Sequence, residues 1–157
     1  MIYKITLKKQ LLQIYPCILS SCIVIFIFSL CYFYVFDNVI VFIIWFIVFL
    51  LTDLWTILFH IDYLIKNKDC VLEIADDKIS FTSKSECIVE QISYIVKIEQ
   101  YRPVFENEAW VSFKNYYHYK VYFKNGKQII ISSLMIKKID FSNVPIEIKR
   151  RYWPFSY

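Results

Sequence analysis

Two long apolar runs dominate the first part of the chain. Residues 17–36 contain no charged side chain, and residues 39–59 contain one, Asp53. A helix rises about 1.5 Å per residue, so each run is long enough to cross the roughly 30 Å hydrocarbon layer of a bilayer. The pattern therefore predicts two transmembrane helices that form an antiparallel hairpin, joined by a tight turn at Asp37-Asn38.

Three other interpretations of the apolar runs fit the sequence less well. A pair of buried helices in a soluble bundle needs a large covering surface, and the rest of the chain is too small and too polar to provide it. A cleaved export signal needs small residues after the first run, where bulky Tyr, Phe and Val stand instead. A lipoprotein site at Cys22, within the motif LSSC, should lead into a polar tether, but the chain stays apolar.

The distribution of lysines predicts the orientation of the hairpin. Basic residues flank the two runs on their outer sides, whereas the connecting turn carries Asp37 and no basic residue. The flanking residues are Lys4, Lys8, Lys9, Lys66 and Lys68. Because basic residues stay on the cytoplasmic side, both termini are expected in the cytoplasm.

After residue 68 the pattern changes to short alternating segments. Residues 70–75 and 78–83 flank Asp76-Asp77, which predicts two strands joined by a two-residue hairpin turn. Between residues 92 and 98 every second residue is apolar, which is the period of a half-buried strand.

The single glycine of the chain marks a further hairpin. Residues 117–123 alternate up to Asn125-Gly126, and a second β-rich run, residues 128–132, follows. A two-residue type I′ turn needs positive φ at both central positions, and Asn-Gly tolerates this best. The sequence therefore predicts a hairpin closed by Asn125 and Gly126.

The C-terminal segment predicts a short helix. Asn143 is a suitable cap, Pro145 stands where a first-turn proline is tolerated, and Pro154 ends the segment. The expected fold class is an α+β membrane protein. Residues 1–68 form an N-terminal segment with the transmembrane hairpin, and residues 69–157 form a small antiparallel β-barrel or sheet of about five to seven strands with a short C-terminal helix.

The order of these segments resembles a known family. Two apolar runs, then CVLEIADDKISF, ISYIVKIEQY and an aromatic-rich WVSFKNYYHYKVYFKNGKQIIISSLMI are similar to bacterial pleckstrin-homology-like (PH-like) membrane proteins of the YcxB-like kind. The resemblance covers essentially the whole chain and rests on fold motifs. It implies a PH-like β domain that binds or scaffolds, with no catalytic residues to carry over. The chain departs from the pattern at its end, where the PH-like fold usually has a longer amphipathic helix.

A polar face inside the second apolar run is the main candidate for chemistry. Asp53, Thr56 and His60 recur at i, i+3 and i+7, so they share one side of a helix. Ionisable groups inside a span are functional candidates, and an ion or proton path is one interpretation. The other is that the face meets the β domain or a sister helix near the membrane interface.

The sequence offers no pattern for cofactor, metal or enzymatic chemistry. One glycine excludes the usual glycine-rich phosphate loops, and the only histidines, His60 and His118, form no spaced cluster with cysteine or carboxylate. The five cysteines have no metal-site spacing and suit apolar packing in a reducing compartment. We therefore expect no cofactor, no small-molecule substrate and no enzyme activity.

Two surfaces are candidates for binding. The tail KRRYWPFSY combines basic and aromatic side chains that suit a membrane surface, although the aromatics could equally plug the β domain. The long connection over residues 101–113 carries two large aromatics, which could contact a partner or fold over their own domain. The candidate residues are Lys149, Arg150, Arg151 and Trp153 in the tail, and Trp110 and Phe113 in the connection.

Net charge and composition narrow the partners. The formal net charge of +4 lies in the part after residue 65, which favours a domain close to an anionic membrane surface. The expected partners are the lipid bilayer and a protein partner or a second copy of the chain, with no nucleic acid. The leading function is a membrane-anchored interaction module that binds a protein or lipid headgroups. The alternatives are an immunity protein against a membrane-targeting toxin and an oligomeric transport or channel subunit.

Overall fold

The computed structural model describes residues 1–34, 39–84, 86–108, 112–139, 141, 144–153 and 155–156. The predicted turn at Asp37-Asn38 lies outside them. The helices are α1 (Leu7–Tyr34) and α2 (Val39–Asn67). The strands are β1 (Ile2–Tyr3), β2 (Val71–Ile74), β3 (Lys78–Thr82), β4 (Cys87–Gln91), β5 (Ile95–Pro103), β6 (His118–Phe123), β7 (Gln128–Ser132) and β8 (Ile146–Arg151), with 3₁₀ turns at Ile92–Tyr94 and Ser112–Asn115.

Both helices extend well beyond the predicted apolar runs on the side of the β domain. α1 has 28 residues and begins directly after Thr6, whose side-chain oxygen accepts a hydrogen bond from the Lys9 N–H. α2 has 29 residues and continues to Asn67. By length and composition alone, Leu7–Leu30 and Phe46–Asn67 are each long and apolar enough to cross a membrane.

One antiparallel sheet has the order β1-β2-β3-β4. Its first strand comes from the start of the chain, where Ile2 pairs with Glu73 and Tyr3 with Leu72. The boundary placed at residue 68 therefore does not separate the β domain from the N-terminal segment, since residues before α1 complete this sheet.

The second sheet has the order β7-β6-β5-β8, and its last pair is parallel. The predicted C-terminal helix is wrong, because residues 146–151 form a strand that runs from Ile98 to Pro103 along β5. A free edge of β5 provides backbone partners for every second residue, and IEIKRR alternates apolar and charged side chains in the strand period. A helix of only two turns, without such partners, would be marginally stable.

Strand β5 begins three residues later than the alternation suggests. Residues 92–94 form a 3₁₀ turn, and the register shifts between Ile95 and Lys97. Ile95 and Ile98 are buried whereas Val96 is 60% exposed. The prediction that Ile92, Tyr94, Val96 and Ile98 share one face is therefore wrong at its start. The irregularity changes which residues of the strand point into the core.

The hairpin at Gly126 is confirmed, but its turn type is wrong. The Gly126 N–H donates to the Phe123 carbonyl over 3.0 Å, so Lys124 and Asn125 are the central residues of the turn. Neither has positive φ, and only Gly126 adopts it, at 80°. The loop therefore has three residues, with glycine in the left-handed position that follows the turn.

Two apolar cores organise the molecule. The larger lies between the sheets and contains side chains of both, among them Leu72, Ile79, Ile98 and Val121. The smaller, here called the junction core, consists of Phe59 and Tyr63 of α2 with Phe113, Tyr116 and Leu134 of the β domain. This second core fixes the base of α2 to the β domain.

Candidate functional site

The polar face of α2 is buried in the C-terminal half of the helix. Asp53, Thr56 and His60 are at most 9% exposed, so the structure brings all three predicted residues to one buried side. The Asp53 carboxylate accepts hydrogen bonds from the hydroxyls of Ser20, at 3.2 Å, and Ser21 of α1. The carboxylate therefore joins the two helices.

Further along the same face, α2 meets the β domain. His60 Nδ1 lies 2.9 Å from the Tyr116 hydroxyl, and the Tyr63 hydroxyl lies 3.3 Å from His118 Nδ1. His118 is fully buried and stacks on Tyr101 with ring centroids 4.9 Å apart. These pairs place polar contacts inside the junction core, where an unsatisfied polar group would be costly.

Asn67, the last residue of α2, pairs with the free edge of β7. Its side-chain amide donates to the Ile130 carbonyl over 3.0 Å and accepts from the Ser132 N–H over 2.9 Å. The side chain thus takes the place of a neighbouring strand. Neither Tyr63 nor Asn67 was among the predicted site residues, although the spacing of residues 53, 56, 60, 63 and 67 continues one helical stripe.

The aromatic connection folds back onto the molecule. Phe113 is 5% exposed and packs against Phe59 with ring centroids 5.3 Å apart. Trp110, the other candidate of this connection, lies outside the described residues. Phe113 is therefore part of the junction core, as expected if the connection covers its own domain.

The aromatic part of the tail lies against α2. Trp153 stacks on Trp55 with ring centroids 4.0 Å apart, and Phe155 packs 4.7 Å from Phe59. The Ser156 N–H donates to the Asp62 carboxylate over 2.8 Å. Trp153 nevertheless remains 46% exposed, so one side of its ring is open.

The basic residues of the tail have partners within the chain. Lys149 pairs with Glu99, and Arg150 lies 3.1 Å from Glu106. The Arg151 guanidinium lies over the Tyr101 ring, 4.3 Å from its centroid. The basic residues predicted to bind a partner or lipid therefore also hold β8 on the sheet.

Glu99 is the centre of this charged network on β5. Burial opposes its ionisation, but hydrogen bonds from Lys149, Lys97, Tyr101 and Tyr122 outweigh burial and hold its pKa well below the usual range. Burial and the hydrogen bond to this carboxylate together raise the pKa of Tyr122 to about 12. Lys97 also reaches Glu147 of β8 over 2.6 Å. The network is therefore ionised at neutral pH and binds β8 to β5.

Several basic residues near the start of α1 and after β7 have no described acidic partner. Within the described part of the chain, no carboxylate forms an ion pair with Lys4, Lys8, Lys9 or Lys137. Lys9 and Lys137 line a groove between the start of α1 and the segment after β7, with a cavity volume of about 210 Å³. We call it the α1 groove. From the sequence, Lys4, Lys8 and Lys9 indicated only the orientation of the hairpin, because residues 9 and 137 are too far apart in the chain for their proximity to be predicted.

Among the described residues, no group of three or more His, Cys, Asp or Glu side chains is arranged to hold a metal ion. Cys17, Cys22, Cys70 and Cys87 are free thiols.

Comparison with known families covers nearly the whole chain. A family model described as PH domain matches residues 2–144, which include both helices and the strands from β1 to β7. Neither a curated protein nor a solved structure matches the chain. PH domains are interaction modules that bind proteins or lipids, and the two-sheet architecture with its shared core agrees with such a domain. The chain therefore belongs to the PH domain family.

Proposed function

We propose that the chain is a membrane-anchored, non-enzymatic interaction module of a bacterial inner membrane. In this proposal α1 and α2 cross the bilayer as a hairpin with both termini in the cytoplasm. The PH-like domain lies at the inner surface, where it binds a protein partner or lipid headgroups. The membership of the PH domain family supports the binding role.

The apolar surface of the helices carries the proposal. Large apolar side chains are exposed along both helices on the sides that do not meet the β domain, for example Phe26 at 64%, Ile40 at 75% and Ile47 at 50%. Contiguous apolar patches larger than a few hundred Å² are rare on soluble monomers. A bilayer covers such a surface without further protein partners.

The junction core gives the anchor a second role. Because His60, Tyr63 and Asn67 each bond to the β domain, the domain is held at the base of the hairpin. Trp55 and Trp153 stack at the same level, and such rings favour the membrane interface. A fixed domain presents a constant face to the membrane surface.

A labelling experiment tests the membrane placement. Cys87 is exposed on β4, so it reports the position of the PH-like domain. We expect the protein to remain in the membrane fraction after alkaline carbonate, and a membrane-impermeant maleimide to label Cys87 only after spheroplasts are lysed. Cys87→Ser is the control for the domain signal.

A second cysteine reports the opposite side. Asn38→Cys, in the predicted turn, should react in intact spheroplasts because that turn is expected outside the cytoplasm. Release of the protein by carbonate would contradict the anchor. Labelling of Cys87 in intact spheroplasts would contradict the orientation.

A further inference from the structure

We propose that the α1 groove binds the phosphate-bearing headgroup of an anionic phospholipid from the surrounding leaflet. The proposal rests on the membrane placement proposed above and names one ligand and one site for it. It concerns Lys9 and Lys137, and not the basic tail that the sequence indicated as a lipid-binding surface.

The charge of the groove favours a phosphate. Lys9 contributes from α1 and Lys137 from the segment after β7, and none of the described residues that line the cavity is acidic. In contrast, Lys149 and Arg150 of the tail already pair with Glu99 and Glu106. Unlike these two tail residues, Lys9 and Lys137 form no ion pair with a described carboxylate.

Lys9 is held in place by the protein. Its ammonium donates to the Met135 carbonyl over 2.7 Å and to the Lys4 carbonyl over 3.1 Å. An ammonium has three N–H donors, so one remains for a ligand. Carbonyl partners orient the side chain without neutralising its charge, which leaves a positioned cation at the groove.

The groove also continues into an apolar surface. Leu12 lines it, and Leu11, Leu12 and Tyr15 are 55–58% exposed along α1. Leu12 follows Lys9 by three residues, so the two side chains lie on the same face of α1. An acyl chain that leaves a headgroup at Lys9 therefore meets an exposed apolar helix side at once.

The size of the cavity suits a small headgroup. Its volume of about 210 Å³ lies below the range of roughly 300–1,000 Å³ that is usual for drug-sized ligands. An adjoining cavity of about 440 Å³ is larger, but its lining is of mixed charge, since Asp76 lies there beside Lys138 and the N-terminal residue Met1. The α1 groove is therefore the better anion site of the two.

Lipid retention on the full-length protein tests the site. The protein is reconstituted in phosphatidylcholine nanodiscs with and without phosphatidylglycerol, and native mass spectrometry counts the lipids that stay bound after release. We expect enrichment of phosphatidylglycerol, and a loss of about 25-fold in its apparent affinity for Lys9→Gln/Lys137→Gln, since each lysine at an anionic surface contributes about fivefold.

The matched control removes the same charge elsewhere. Lys124→Gln/Lys127→Gln changes two lysines at the turn of the β6–β7 hairpin, which is remote from the groove, and also removes the 3.5 Å ion pair of Lys127 with Glu90. This variant should retain phosphatidylglycerol within about twofold of the wild type. Equal losses in both double variants would overturn the site, because they would show a response to net charge alone.

A single substitution separates binding from folding. Lys137 is exposed, and no described residue forms a hydrogen bond or ion pair with its side chain, so Lys137→Gln should fold as the wild type does. It should still weaken phosphatidylglycerol retention about fivefold. Unchanged retention, or no enrichment of phosphatidylglycerol by the wild type, would overturn the proposal.

Soluble competitors decide the source of the phosphate. Glycerol 3-phosphate should displace the lipid only at high excess, because it lacks the acyl chains that contact α1. Displacement at equal concentration would overturn the lipid assignment in favour of a free phosphate ester. Failure of this test leaves the carbonate and labelling results unaffected, so it is distinguishable from failure of the membrane anchor.

Discussion

Glu99 shows at the scale of one residue how the C-terminal strand is held. Its carboxylate accepts hydrogen bonds from Lys149 of β8, from Lys97 of β5 and from two tyrosines. The side chain is only 6% exposed, so the ionised form depends on these donors. Loss of the charge should weaken the attachment of β8 to β5 and thereby lower the stability of the domain.

Acid should therefore weaken the domain through Glu99. Its folded-state pKa lies below the unfolded value of about 4.3, so its stabilisation is complete above that value and is lost as the pH falls towards the folded pKa. Between about pH 5 and pH 3, the melting temperature should fall more steeply with decreasing pH for the wild type than for Glu99→Gln. A parallel course for both proteins would contradict this role.

At neutral pH the same variant tests the network. Glu99→Gln should cost about 1–3 kcal/mol, because Lys97 and Lys149 lose their shared carboxylate. Glu147→Gln is the matched control, since Glu147 is 50% exposed and contacts the same lysines. It should cost at most about 1 kcal/mol by thermal or urea unfolding.

Gly126 is required by backbone conformation alone. A Cβ placed there meets no atom within 4 Å, yet the residue has φ of 80°. Gly126→Ala should therefore destabilise the domain by about 1–2 kcal/mol, whereas Gly126→Asn should cost less because asparagine tolerates this region. Equal stability of Gly126→Ala and the wild type would show that the hairpin relaxes into another turn.

At the scale of the elements, Asn67 connects α2 to the edge of β7. Asn67→Ala removes a donor to Ile130 and an acceptor for Ser132, so two backbone groups lose their partner. We expect a loss of about 1–3 kcal/mol and faster amide exchange at Ser132. Lys68→Ala, next to it on the exposed surface, should leave both quantities unchanged.

Asp53 connects the two helices. Because its carboxylate is used by Ser20 and Ser21, we expect Asp53→Asn to keep a hydrogen-bonded contact and to leave ion flux through proteoliposomes unchanged. A flux that is present in the wild type and lost in this variant would favour the channel alternative. Asp53→Leu should instead weaken the helix pair, visible as a lower melting temperature.

Periodicity predicted those elements whose conformation is specified by neighbouring residues in the sequence. The two apolar runs, the strands around Asp76-Asp77 and the hairpin at Gly126 all follow from local pattern. Strand β8 could not be predicted this way, since its conformation depends on the free edge of β5 about 50 residues earlier. β1 is two residues long and likewise exists only through its pairing with β2.

At the scale of the whole molecule, the candidate surfaces differ in how far the sequence could reveal them. The buried face of Asp53, Thr56 and His60 was visible because helical spacing is local. The α1 groove was not, because it joins Lys9 to Lys137 only after β7 has packed beside the base of α2. The charge of the tail was visible, but its pairing with Glu99 and Glu106 was not.

The most direct test of the membrane-anchored account is the depth of the helices in a bilayer. Spin labels at Ile27 and Ile47, both 50% exposed on the helices, are compared in liposomes with a label at Val89, which is 55% exposed on β4. We expect the helix labels to collide with dissolved oxygen and to be shielded from a water-soluble nickel chelate, with the opposite result at Val89. Helix labels as open to the chelate as Val89 would contradict the account.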